Sequence, residues 1–221
     1  MSKSTMLAVL VHEYGGPNVM KLEEIDRPAP SAGQVLVKIH YATVIPLDWK
    51  IRNGWVHHVF PKTFPYIPGF YASGVVESIG PGVTGFHVGD RVFGMIDGAY
   101  AEYGIASGIS PAETPKTEDS AAPVDVLVKM PDGLTFEEAA TIRAGAETAW
   151  KSLFTEGELK AGQTVLIHAA AGGVGQFAVQ LAKWKGAHVI GTCSTANLDF
   201  VKSLGADQVI DYTTKAFEDV V

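Results

Sequence analysis

The stretch Thr164-Val-Leu-Ile-His-Ala-Ala-Ala-Gly-Gly-Val-Gly-Gln-Phe-Ala-Val-Gln-Leu-Ala-Lys183 reads as a strand, a glycine turn and a helix. Thr164 to Ala169 has the apolar run of a buried strand, and Val174 to Lys185 has helical periodicity. Between them, Ala170-Ala-Gly-Gly-Val-Gly175 keeps G-x-G-x-x-G spacing with Ala170 in the first glycine position. Gly172 would let a pyrophosphate approach the backbone, and Gly175 would let the helix pack closely on the strand. A helix N-terminus after such a turn suits an anionic dinucleotide.

Working toward the C-terminus, His188 to Cys193 is a second strand and Asn197 to Leu204 a helix stopped by Gly205. Gln208 to Tyr212 is a third strand, so the run is the first half of a doubly wound sheet. The rest of such a sheet would take about 90 more residues beyond Val221, which reads as a truncation. On that reading the glycine-bearing strand is an apolar edge open to pairing with another chain. An acid holding the ribose of NAD is expected at the end of the second strand. Here Gly191-Thr-Cys-Ser-Thr-Ala-Asn197 offers hydroxyls and an amide instead, with no acid until Asp199. That composition favours NADPH, and the lack of a clamping arginine keeps the preference over NADH modest.

Working toward the N-terminus, Thr135 and Glu138 have capping-box spacing. They predict a helix through Ala139 to Ile142, followed by a second helix from Glu147 to Phe154 that leads to Gly157. The first 130 residues read as β-rich. Leu7–Val11, Val35–Tyr41, Gly74–Ile79, Arg91–Gly94 and Tyr100–Ile105 are short β-branched or aromatic runs between Gly/Pro turns. Val35, Val37, Ile39 and Tyr41 alternate onto one face, which suggests a small closed or folded β-domain. Ala106 to Pro123 is poor in large apolar residues and reads as a surface loop, and the α/β pattern begins after Val124–Lys129. The expected domains are 1–132 and 133–221.

Composition bounds the function. The 221 residues are 47% hydrophobic and 19% charged, which fits a globular chain with a real core. A net charge of −7 gives no basic stripe for nucleic acid. No apolar run reaches the length of a membrane span. The start reads as a first strand and not as a signal peptide. The single cysteine, Cys193, excludes an internal disulfide and fits a cytoplasmic protein; it reads as a small buried residue. His57 and His58 lack partners at metal-ligand spacing and read as solvent-exposed.

Pro46-Leu-Asp-Trp-Lys-Ile-Arg-Asn-Gly54, Pro68-Gly69, Gly74-Val-Val-Glu77, Gly80-Pro-Gly-Val-Thr-Gly-Phe86 and Val88-Gly-Asp-Arg-Val-Phe-Gly94 form an ordered series. Gly98-Ala-Tyr-Ala-Glu-Tyr103, Glu137-Glu-Ala-Ala140, Thr148-Ala-Trp150 and Ala170 to Gly175 continue it. Together they resemble medium-chain dehydrogenases/reductases of the zinc-independent quinone oxidoreductase branch. The resemblance implies a GroES-like β-domain followed by a Rossmann domain, here a partial one. It also implies NADPH and hydride transfer to a quinone or to the activated C=C bond of an α,β-unsaturated carbonyl, with homodimerisation. Zinc-dependent relatives carry Cys-x-x-Asp-x-His and Gly-His-Glu elements. This chain has Ile45-Pro-Leu-Asp48-Trp-Lys50 and Gly69-Phe70-Tyr71 there, so no catalytic zinc is expected. Ile45 also replaces an Asn common in this branch.

The resemblance places Ile45, Asp48 and Thr148 near the nicotinamide half of the cofactor. Ala171, Gly172, Gly173, Val174 and Gly175 fall at the pyrophosphate, and Ser194, Thr195, Asn197 and Tyr212 around the 2′-phosphate. Tyr41, Lys50 and Tyr71 are candidate donors to a developing enolate oxygen. The plainer readings are that Tyr41 faces the β-core, Lys50 is solvated and Tyr71 is packing. A second functional reading stays open: a non-catalytic nucleotide-binding or interaction protein that pairs its open sheet edge with another chain.

Overall fold

The computed structural model describes residues 4–108 and 127–220. The chain divides into two compact units, Met1–Arg143 and Ala144–Val221.

In the first unit β1 (Thr5–Val11) and β2 (Met20–Asp26) form an antiparallel hairpin. Next come β3 (Gln34–Ala42), α1 (Pro46–Arg52), β4 (Tyr71–Ile79), β5 (Arg91–Met95), β6 (Tyr103–Ser107) and β7 (Leu127–Lys129). The last five strands make an antiparallel sheet in the order β6-β3-β4-β5-β7, curled around Val35, Val37, Val76, Phe86, Val92 and Leu127. This is the GroES-like β-domain.

Five points of the sequence reading need correction. β2 went unread because Met-Lys-Leu-Glu-Glu-Ile-Asp is highly charged and Leu22 is 69% exposed. Backbone pairing along all seven residues of β1 holds it in place. Tyr41 does not share the core face of Val35 and Val37. The β3–β4 register slips between Ile39 and Tyr41, and Tyr41 ends up exposed. Tyr100 to Glu102 lie before β6, where the Tyr100 N–H bonds to the Pro68 carbonyl. Ala106 and Ser107 belong to β6 and not to a loop; the remainder of the expected loop, with Val124 to Val126, falls outside the described residues.

The fifth correction concerns the helices. α2 (Phe136–Trp150) is one helix that continues as a π-helical turn through Lys151–Glu156 to Gly157. Its capping box is as expected: the Glu138 N–H donates to Thr135 Oγ1, and the Thr135 N–H donates to Glu138 Oε2. Gly145 does not break it. The helix is held by packing there, since a Cβ on Gly145 would come 2.3 Å from the Gly173 carbonyl oxygen.

The second unit continues with β8 (Thr164–Ile167), α3 (Gly175–Trp184), β9 (His188–Cys193), α4 (Leu198–Ser203) and β10 (Gln208–Asp211). The strands are parallel in the order β10-β9-β8, a partial Rossmann sheet. Ala178, Val179 and Ala182 form the buried stripe of α3 and pack with Val189, Cys193 and Val201. Among the described residues β8 is an edge strand. No helix among them is long and apolar enough to cross a membrane.

Candidate functional site

In the second unit the glycine turn has a built geometry. Ala169 takes φ of +50° at the end of the β8 run. Ala170 is fully buried, and its N–H bonds to the Thr192 carbonyl of β9. A Cβ on Gly191 would lie 3.0 Å from the Ala170 Cβ, so the glycine in β9 makes room for the alanine in the motif. A Cβ on Gly175 would sit 2.3 Å from the Ala169 carbonyl oxygen and 2.7 Å from the Ala170 Cα. Only glycine fits there. Gly173 is the opposite case: a Cβ there meets nothing within 4 Å. No packing within the protein calls for glycine there, and that side of the turn is open. Gly172, Gly173 and Val174 line a cavity of about 500 Å³ with Val165 and Leu166 of β8 and Ser152. Thr148 is exposed, and its hydroxyl donates to the Ala144 carbonyl within α2.

At the other end of the turn, Ser194, Thr195, Asn197 and Tyr212 gather at the C-terminal ends of β9 and β10. The Asn197 amide donates to Ser194 Oγ at 3.1 Å, and the Tyr212 N–H to the Cys193 carbonyl. Tyr212 is 58% exposed, which leaves its ring open. Sequence reading missed Asp211. Its Oδ2 accepts the Thr195 hydroxyl at 2.6 Å, and its Oδ1 accepts the hydroxyl and N–H of Thr213. Those hydroxyl donors, Thr195 first, hold the Asp211 carboxyl below the usual range. The signal lies in the parallel pairing that sets Asp211 opposite Cys193, whereas the acid expected from the motif belongs to the end of β9. Cys193 is buried, and burial raises its thiol pKa.

In the first unit three motifs meet at one carboxylate. Pro46 opens α1, where its lack of an N–H costs nothing. Asp48, three residues past Ile45, reaches back so that its Oδ2 accepts the Ile45 N–H at 2.8 Å. The same oxygen accepts the Tyr100 hydroxyl at 2.8 Å. Tyr100 reaches it by lying against Gly69, which holds φ of +92° and where a Cβ would come 2.6 Å from the ring. Pro46-Leu-Asp48, Pro68-Gly69 and Gly98-Ala-Tyr100 therefore form one hydrogen-bonded knot. Asp48 is buried, and desolvation raises its pKa against the two hydrogen bonds. Burial, followed by the hydrogen bond to Asp48 and then its charge, pushes the Tyr100 hydroxyl far up.

The candidate donors are held differently. Tyr41 is 44% exposed, and its hydroxyl donates to Glu137, which raises the tyrosine and lowers the glutamate. Lys50 is half-buried, its ammonium 5.9 Å from the centre of the Trp49 ring. Tyr71 is half-buried at the start of β4, and its carbonyl accepts the Thr43 N–H. β3–β4 pairing puts Tyr41 opposite Ser73, two residues from Tyr71. His57 and His58 are exposed, and a His57 ring nitrogen pairs with the Gly54 carbonyl. Among the described residues no group of three His, Cys, Asp or Glu side chains could hold a metal.

Residues 31–132 match the family described as alcohol dehydrogenase GroES-like domain, and residues 173–221 the family described as zinc-binding dehydrogenase. A chloroplastic quinone-oxidoreductase of Triphysaria versicolor is 41% identical over 97% of this chain and 63% of its own length. The quinone oxidoreductase of Sus scrofa is 37% identical over 94% of this chain and 59% of its own. This chain thus spans about 60% of the length of the curated relatives it matches. Among solved structures, the quinone oxidoreductase of Coxiella burnetii superposes with a TM-score of 0.85 at 35% identity, over 98% of this chain and 65% of the other. A mycobacterial protein solved in complex with NADPH gives 0.81 at 36% identity, over 96% and 61%. The chain belongs to the medium-chain dehydrogenase/reductase superfamily and, within it, to the quinone oxidoreductase branch.

Proposed function

We propose that the protein is an NADPH-dependent oxidoreductase that delivers hydride to a quinone, or to the activated C=C bond of an α,β-unsaturated carbonyl, without a catalytic metal. The observation that carries this reading is the turn in which Gly175 is required by packing while Gly173 stays open on the ligand side. When bound, the cofactor supplies the hydride. The backbone of Ala171 to Val174 receives its pyrophosphate. Ser194, Thr195 and Asn197 offer donors to a 2′-phosphate, and Tyr212 offers a ring face to the adenosine. The mycobacterial relative's NADPH complex supports the choice of cofactor. Asp211 works against it, since a carboxylate beside Thr195 repels a phosphate, so the preference over NADH is modest.

In the β-unit, Ile45 offers the nicotinamide an apolar contact, and Asp48 holds the backbone at Ile45 in place. Tyr41, Lys50 and Tyr71 are the donors available to a substrate oxygen as negative charge builds there. A quinone demands least of them, because water can protonate both of its oxygens after transfer. Ile45, Lys50 and Phe70 stand where zinc-dependent relatives carry ligands, and neither Ile nor Phe can ligate.

A second reading is favoured by the edge position of β8: a nucleotide-binding protein that completes its sheet with another chain. One experiment separates them. NADPH oxidation is followed against panels of quinones and enals, with cofactor binding and mass in solution measured on the same sample. Turnover supports the reductase. Binding without turnover on either panel, in a dimer, supports the second reading and rejects the first.

A further inference from the structure

Asp48 is 5% exposed, and only one of its carboxylate oxygens is used. Oδ2 takes both hydrogen bonds, whereas Oδ1 is buried with no partner. The hydroxyl of Tyr66 is buried in the same condition. Groups of this kind are rarely left unsatisfied inside a protein. Asp48 and Tyr66 line one small cavity of about 10 Å³, together with Ile51, Gly69 and Lys62. That size admits a single water molecule and little else.

We infer that this cavity is a water site, in which one water bridges the Tyr66 hydroxyl to Asp48 Oδ1, making Tyr66 a positioning residue for the start of α1. Tyr66 donates to the water, and the water donates to the carboxylate. Asp48 then holds Ile45 N–H and Tyr100 on one oxygen and the Tyr66 chain on the other. The carboxylate can no longer rotate without breaking three hydrogen bonds, so the backbone at Ile45 is fixed. The consequence for catalysis rests on the proposed function, which assigns Ile45 to the cofactor; the water site itself does not. Other charged groups bear on the knot. Arg52 acts electrostatically on Tyr66 and Tyr100, Tyr14 acts on Tyr66, and Lys62 and Asp97 line the cavity.

The test is a high-resolution crystal structure of the wild-type chain, with carbon-13 NMR of the Asp48 carboxyl in wild type and Tyr66→Phe. One solvent peak about 2.7–3.0 Å from both oxygens is expected. In Tyr66→Phe the Asp48 carboxyl should titrate at higher pH, because a hydrogen bond favouring its charged form is weakened. Hydrogen exchange at the Ile45 N–H should speed up roughly three- to tenfold. An empty cavity, a direct Tyr66–Asp48 contact, a Lys62 ammonium in the water's place, or an unmoved Asp48 titration would each overturn the inference. Should Tyr66→Phe not fold, the wild-type structure decides alone. None of these readouts requires turnover, so failure of the reductase reading leaves the result interpretable.

Discussion

Gly69 and Tyr100 fit together as socket and ring: the glycine holds φ of +92°, and a Cβ there would come 2.6 Å from the tyrosine Cδ1. Gly69→Ala therefore imposes a left-handed backbone on an L-residue and pushes Tyr100 away from Asp48. We expect a loss of at least about 2 kcal/mol in denaturant unfolding. Tyr100→Phe, which keeps the ring and removes one hydrogen bond to a charged group, should cost about 1.5–3 kcal/mol. Equal stability of Gly69→Ala and wild type would contradict the socket.

Asp48 gives the knot a pH dependence of known sign. Its pKa in the folded protein lies above the ordinary 3.8, with burial as the main cause. The folded state thus holds this proton more tightly than the unfolded chain does. The contribution is fully present below 3.8 and is lost as pH rises through the folded value. Asp48→Asn cannot ionise and has no such loss. Its stability relative to wild type should therefore rise between acid and neutral pH, measured by urea unfolding across that range; a flat difference rejects the assignment.

Gly173 and Gly175, two residues apart, should respond in opposite ways to alanine. Gly175→Ala drives a Cβ to 2.3 Å from backbone, so the turn itself must move, and a loss of about 2 kcal/mol in stability is expected. Gly173→Ala meets nothing within the protein and should leave stability within about 0.5 kcal/mol. Its added methyl projects on the open side, so NADPH binding should weaken by about tenfold or more, read by cofactor fluorescence. Full affinity in Gly173→Ala would remove the turn from the site.

The second unit was legible because its signals are local. Apolar runs, helical periodicity and Gly205 mark β8 through β10 within a residue or two. What escaped depended on partners distant in sequence. β2 exists through its pairing with β1, and α2 runs unbroken through Gly145 because Gly173 lies against it. Tyr41 left the core face through a register slip that no alternation pattern encodes. The family resemblance singled out Pro46–Asp48, Pro68-Gly69 and Gly98–Tyr100 separately, but only the fold shows that they converge on one carboxylate oxygen.

Lys183 and Asp207 tie the end of α3 to the approach of β10, with the ammonium 2.8 and 2.9 Å from the two oxygens. Asp207 also accepts the Val189 N–H, and the Lys183 hydrogen bond, ahead of that one, lowers its pKa. Both side chains are about one-third exposed, so solvent screening limits the pair. Lys183→Met should cost about 0.5–1 kcal/mol near neutral pH in thermal unfolding. Because the folded pKa is depressed, this contribution is present above 3.8 and fades as pH falls through the lower folded value. A cost that persists unchanged in strong acid would assign it to packing.

On the proposed function, Asp211 should weigh on the choice of cofactor. Its charge is secured near neutral pH by the Thr195 and Thr213 hydroxyls, and it engages the very threonine proposed to meet a 2′-phosphate. Asp211→Asn removes that charge, keeps an acceptor for the threonines, and frees the site from phosphate repulsion. Near the surface, solvent screening keeps the effect of one unit charge modest. The ratio of NADPH to NADH affinity should therefore rise roughly three- to tenfold, with NADH affinity nearly unchanged. The gain should shrink as salt is added, since the interaction is exposed. A ratio that stays put at low salt would show that the 2′-phosphate does not lie beside Thr195, and would move the adenosine pocket away from the ends of β9 and β10.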